Sequence, residues 1–169
     1  MKSQPERNHA RHGEAAILFT VAASTFAIAA SAVEEIRSAE ALRPWSPPEG
    51  APETRASYRL ERAGRYYYVV DAGLHFFGSP ALGQRVLVLR NRAAAVLVEQ
   101  IGRMTEISAL YALPHAFTGQ ERQWYRGLAV LAGTDGQPEV VPVVNPDAFA
   151  TAAAAPASVP RFSAQGAAL

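Results

Sequence analysis

The chain has 169 residues with 16 lysines and arginines against 15 acids, and its net charge of +1 leaves no strong field to recruit nucleic acid or an anionic lipid surface. It contains no cysteine, which excludes a disulfide framework and a cysteine nucleophile. Hydrophobic residues make up 49%, but alanine inflates the figure, and the length leaves room for one compact domain beside any terminal segments.

Residues 1–14 read as a basic leader carrying Lys2, Arg7 and Arg11. Ala15 to Val33 then runs for nineteen residues without a charge. As a helix rising about 1.5 Å per residue, that stretch matches the hydrocarbon thickness of a bilayer. It predicts a transmembrane helix, held in lipid mainly by Ile17, Leu18, Phe19, Val21, Phe26, Ile28 and Val33. A cleaved secretory signal is the alternative, with Ala30 and Ala32 flanking Ser31 at the cleavage site. The helix is expected to continue as a stalk to Arg43, because Glu34 with Arg37 and Glu40 with Arg43 stand at i, i+3 spacing. Pro44 ends it, and Pro44, Pro47, Pro48 and Pro52 make residues 44–55 a stiff linker. The slight excess of cations ahead of the span predicts a single-pass protein of a bacterial inner membrane, N-terminus cytoplasmic and C-terminal domain extracytoplasmic.

Arg11, His12 and Gly13 end the leader in a glycine, and an apolar helix, an amphipathic extension and a β-rich domain follow. This layout resembles type IV pilin-like and Tad-type minor pilin proteins over about the first forty residues. Glu14 follows the glycine directly here, and Leu18 stands where those families often carry a glutamate. The resemblance implies a pilin-like subunit of a secretion or pilus system.

From Ala56 the apolar period shortens to two. Tyr58 and Leu60 alternate with Arg59 and Glu61, Ala63 and Gly64 can turn the chain, and Arg65 to Asp71 is rich in aromatic and β-branched residues, which together predict a hairpin. Leu74 to Phe77 reads as a short third strand between turns at Ala72–Gly73 and Gly78–Pro80. Arg85 to Arg90 is the clearest strand, with a tight turn at Asn91–Arg92. Ala93 to Met104 reads as a strand with a helix as the alternative, and Ile107–Leu113, Gln123–Leu131 and Glu139–Val144 are further strands, the last two joined by a turn at Gly133–Gly136. The expected fold is therefore mainly β: an N-terminal transmembrane helix followed, over 56–145, by a small antiparallel barrel or sandwich, with one helix if 93–104 coils. Residues 146–169 are Ala/Pro-rich and read as a disordered tail.

No pattern for chemistry emerges. His75 and His115 lack a third ligand at metal-site spacing, no two acids pair as in a hydrolase, and Ser57, Ser79 and Ser108 lack a glycine-flanked elbow. Phosphate-loop and dinucleotide motifs are missing, as is a His-x-x-x-Tyr segment for haem. No catalytic residue, cofactor or metal is expected. Contact chemistry is more visible. In the strand Arg65–Asp71, Tyr67 falls on the face opposite Tyr66 and Tyr68, and Arg122, Gln123, Trp124, Tyr125 and Arg126 combine the residue types enriched at interface hot spots. The reading is a membrane-anchored extracytoplasmic binding or scaffold protein that assembles with protein partners at the membrane, touches lipid through 15–33 and binds no nucleic acid. An exported enzyme is the rival, and it would need a concave pocket that brings together groups such as His75, Asp71 and Glu106.

Overall fold

A computed structural model describes residues 13–154. The leader's Lys2, Arg7 and Arg11, and the tail beyond 154, lie outside the described residues. Where a transmembrane helix is expected, the chain forms β1 (Glu14–Val21) and β2 (Ser24–Ala29), paired antiparallel with Ile17 opposite Ile28 and Phe19 opposite Phe26. The physical reason is burial on both faces. Ile17, Phe19 and Val21 point into one core while Ala16 and Leu18 point into another, so neither face needs polar residues and the alternation that marks a half-exposed strand never appears. No helix among the described residues is long and apolar enough to cross a membrane.

The hairpin turn is made by Ala22 and Ala23, whose φ angles of 48° and 62° are left-handed. Primed two-residue turns need that geometry and favour Asn-Gly, since a Cβ makes it costly. Replacing Ala22-Ala23 by Asn-Gly should therefore raise the stability by about 1–2 kcal/mol, read from the denaturant midpoint at constant m-value. An unchanged or lowered midpoint would show that the turn is relaxed as it stands.

The expected stalk is also extended. It forms β3 (Val33–Ser38), a single 3-10 turn at Ala39–Ala41 and the short β4 (Arg43–Pro44). Pairing of Ile36 with Leu87 and Arg37 with Val86 overrides local helix propensity. Two acids of the supposed helix face Arg62 instead: its Nη1 lies 3.1 Å from Glu34, and its Nε donates to Glu35.

The hairpin of β5 (Ala56–Arg62) and β6 (Arg65–Asp71) turns through Ala63 and Gly64, both at positive φ. Leu74–Phe77 is not a strand but the end of helix α1 (Ala72–Phe77), which Asp71 caps. β7 (Arg85–Leu89) follows, and the ambiguous stretch after it breaks at Glu99 into β8 (Ala94–Val98) and β9 (Gln100–Ile107), in different sheets. Beyond Ile107 the expected strand reduces to one bridge, Tyr111 with Leu128. A helical turn, α2 (Glu121–Trp124), precedes β10 (Tyr125–Ala132), and β11 (Pro138–Val144) leads into helix α3 (Pro146–Ala153). That helix occupies the start of the expected tail: Asn145 accepts from the Asp147 N–H, Pro146 takes the first turn and Phe149 is buried.

Two open sheets result, one in the order β10-β11-β2-β1-β9 and the other β3-β7-β8-β6-β5-β4. Neither is a closed barrel, and the parallel pairs β6–β8 and β11–β2 make both mixed rather than antiparallel. Each sheet coils around its own small core, Ala16, Leu18, Ala129 and Val141 in the first and Leu60, Tyr67, Val86 and Val88 in the second. The coiling of the second sheet brings Arg62 of β5 to Glu34 and Glu35 of β3, strands from opposite parts of its order. A third and larger core, with Phe19, Phe26, Ile28, Leu87, Leu89, Val96 and Phe149, joins the sheets.

Candidate functional site

The junction between the sheets is closed at one end by α1, α2 and α3, and polar contacts tie α2 and α3 in place. The Asn145 N–H donates to the Trp124 carbonyl at 2.7 Å and the Asn145 Nδ2 donates to the Gln123 carbonyl at 3.2 Å, tying α2 to the start of α3. The Arg55 N–H donates to the Ala152 carbonyl at 2.8 Å, which brings the segment before β5 against the end of α3. Arg92, from the β7–β8 turn, clasps Asp147 at 2.7 Å.

An aromatic cluster fills the space beneath. Phe76 stacks on Phe26 at 4.6 Å and on Tyr125 at 5.8 Å, and His75 lies 4.4 Å from the Trp124 ring and 5.3 Å from Phe149. Arg55 stands 5.6 Å over Trp124 in cation–π geometry. Above it opens a groove of about 580 Å³ whose lining includes Arg55, His75, Arg122, Trp124, Asn145 and Asp147. A second groove, of about 710 Å³, lies at the Arg62 end of the second sheet and includes Glu34, Arg62, Arg65, Tyr66 and Arg92.

The sequence-predicted contact residues separate on this frame. Trp124 and Tyr125 are half-buried in the cluster, and burial, with Glu121 nearby, pushes the Tyr125 hydroxyl up to about 12. Arg122 is exposed and donates to the Phe117 carbonyl at 3.4 Å, while Arg126 makes a two-pronged pair with Glu14 at 2.8 and 3.0 Å, locking β10 to β1. Tyr67, 6% exposed, packs in the inner core of the second sheet and lines the second groove, while Tyr66 of the same strand is exposed, under the Arg59 guanidinium at 4.3 Å. His75 lines the first groove, and Asp71 and Glu106, two of the groups considered for an exported enzyme, do not join it there.

His75, 5% exposed, was missed as a contact group, and so was Arg55. Burial, reinforced by the Arg55 charge, lowers the imidazole from 6.5 to about 4. The native state thus holds His75 neutral while the unfolded chain protonates it below 6.5. Its contribution is fully present above that pH and is lost as the pH falls toward 4. A loss of about 3 kcal/mol is expected across that window, measured by urea unfolding. The change His75→Phe should flatten this part of the profile, and an equal slope in both proteins would rule out His75 as its source.

A family model described as the CheW-like domain matches residues 15–154, which span both sheets and α3. The chain belongs to the CheW-like family. The match starts inside β1 and runs through the stretch expected to lie in a membrane. It therefore overturns the pilin-like resemblance, the membrane-anchored envelope reading, the lipid contact through 15–33 and the single-pass inner-membrane placement. The crystal structure of the scaffolding protein TtCheW from Thermoanaerobacter tengcongensis superposes with a TM-score of 0.64, covering 84% of this chain and 90% of that one. At 14% identity, this similarity establishes the shared fold. No curated protein matches the chain in sequence.

Proposed function

We propose that this CheW-like chain is a non-catalytic scaffold that couples chemoreceptors to a CheA-type kinase in a chemotaxis signalling complex. The observation that carries the reading is the family match across the whole double-sheet body, residues 15–154. Two coiled sheets joined by a single core offer separate outer surfaces on one rigid unit, the property a coupling protein needs to hold two partners at a fixed spacing.

Within this reading, Arg122, Trp124, Tyr125 and Arg126 form one partner-contact surface. Arg122 is the informative member, since it is exposed and its one side-chain hydrogen bond among the described residues, to the Phe117 carbonyl, is long. The test is co-sedimentation of the purified chain with receptor-bearing membranes and the kinase. The native chain should raise the amount of kinase recovered with receptors, and Arg122→Ala should weaken that recruitment by about tenfold while the melting temperature is kept. Kinase recovery that is indifferent to the native chain would reject the coupling role, and full activity of Arg122→Ala would remove this surface from it.

A further inference from the structure

The wall of the groove beside Trp124 holds a buried donor that meets no acceptor among the described residues. His75 presents Nδ1 to an Arg55 guanidinium nitrogen at 3.5 Å. A guanidinium can only donate, so Nδ1 is the accepting nitrogen and the neutral ring carries its proton on Nε2. That Nε2–H is buried and has no partner among the described residues. Buried polar groups are ordinarily paired, so an orphan donor in a groove wall calls for an acceptor. Arg55 and Arg122, which line the same groove, make no ion pair among the described residues. The groove's carboxylate, Asp147, is already taken by Arg92.

We infer that this groove is a carboxylate-recognition site that accepts a glutamate or aspartate side chain from an acidic segment of a protein partner. Arg55 and Arg122 supply the charged donors, and the His75 Nε2–H supplies a third when the Trp124 indole moves aside. Charge complementarity selects the occupant, because a guanidinium without an ion-pair partner favours an anion and a planar carboxylate can accept from two of its N–H groups at once. Trp124 suits the moving wall: it is half-buried, ends a helix of only four residues, and meets Arg55 through its ring face. The Arg55 backbone is anchored on Ala152, so the guanidinium is presented from a fixed base. The choice of a protein as bearer of the carboxylate rests on the scaffold reading; the donor geometry does not.

The test uses the full chain carrying Trp45→Phe, which leaves Trp124 as its one tryptophan. A short, end-capped all-glutamate peptide is titrated in, with an all-glutamine peptide of equal length as the uncharged control. A saturable change in Trp124 emission is expected with glutamate and none with glutamine, with affinity falling as salt rises. Arg122→Gln and Arg55→Gln should each weaken binding by about tenfold, and in the native chain the His75 ring nitrogens should shift in the NMR spectrum without the ring becoming charged. Arg122→Gln changes an exposed residue, so it decides the matter even if Arg55→Gln lowers the melting temperature. Equal responses to the two peptides, or glutamate binding unchanged in Arg122→Gln, would overturn the inference. A chain that still recruits kinase to receptors but ignores the glutamate peptide keeps the scaffold function and loses this site.

Discussion

Phe149→Ala should destabilise the protein by about 3–5 kcal/mol, the range for emptying a buried aromatic position. Phe149 is 1% exposed and packs its ring 5.3 Å from His75 and 5.7 Å from Phe76, inside the core that joins the two sheets. Small domains are stable by only about 5–15 kcal/mol, so this one change removes a large share of the total. Denaturant unfolding, followed by far-ultraviolet circular dichroism, measures it. Truncation after Asn145 is the companion experiment: it removes Phe149 and Ala153 from the core and cuts the Arg92–Asp147 pair. A disordered tail would be dispensable, so a truncated chain of native stability, or a Phe149→Ala cost below about 1 kcal/mol, would show that α3 is not part of the fold.

The composition of α3 conceals it. Its residues, Pro146 to Ala153, hold one large apolar side chain, and composition alone places them with the Ala/Pro-rich end of the chain. Yet Asn145-Pro146-Asp147 is a strong helix start, with an N-cap side chain, a proline in the first turn and an acid near the positive end of the helix dipole. Positional signals outweighed composition there. Helix α1 is similar: at six residues it is too short for a 3.6-residue period, but Asp71 opens it and Gly78, at φ 70°, closes it.

The strands show where pattern reading succeeds and where it fails. β5 and β6 announce themselves by alternation around a turn that contains glycine, and β7 by a run of valine and leucine between arginines. β1 and β2 do neither. They are covered on both faces and joined by Ala-Ala, so their hairpin reads as one continuous apolar span. The misplaced membrane, orientation and pilin readings all descend from that one segment. The site was legible in part: Arg122 to Arg126 was singled out, but Arg126 meets Glu14 across 112 positions and Arg55 meets His75 across 20. Such encounters depend on sheet order, which local sequence does not encode.

The second large effect is expected at Asp71, where a carboxylate 1% exposed is the acceptor for a whole loop. Its Oδ1 receives the N–H groups of Gly73 at 2.8 Å, Leu74 at 3.3 Å and Ala81 at 3.0 Å, and Oδ2 lies 3.3 Å from the last of these. The same residue therefore caps α1 and folds the Gly78–Ala81 loop back over it. The approach is so close that a Cβ on Gly73 would stand 2.4 Å from the Ala81 nitrogen, so only glycine fits. Asp71→Ala strands three donors at once. At about 1 kcal/mol or more for each unsatisfied group, it should cost about 3–4 kcal/mol. Asp71→Asn keeps one carbonyl oxygen for the cap and loses the charge, so about 1–2 kcal/mol is expected there. The asparagine variant separates this account from simple loss of volume, since it conserves the side-chain volume and would cost nothing if packing were the only loss. Because α1 carries His75 into the groove wall, Asp71→Ala should also alter Trp124 emission below the unfolding transition. Unaltered emission together with a small stability loss would mean that the loop and helix are held by the apolar contacts of Ala72 and Phe76 instead.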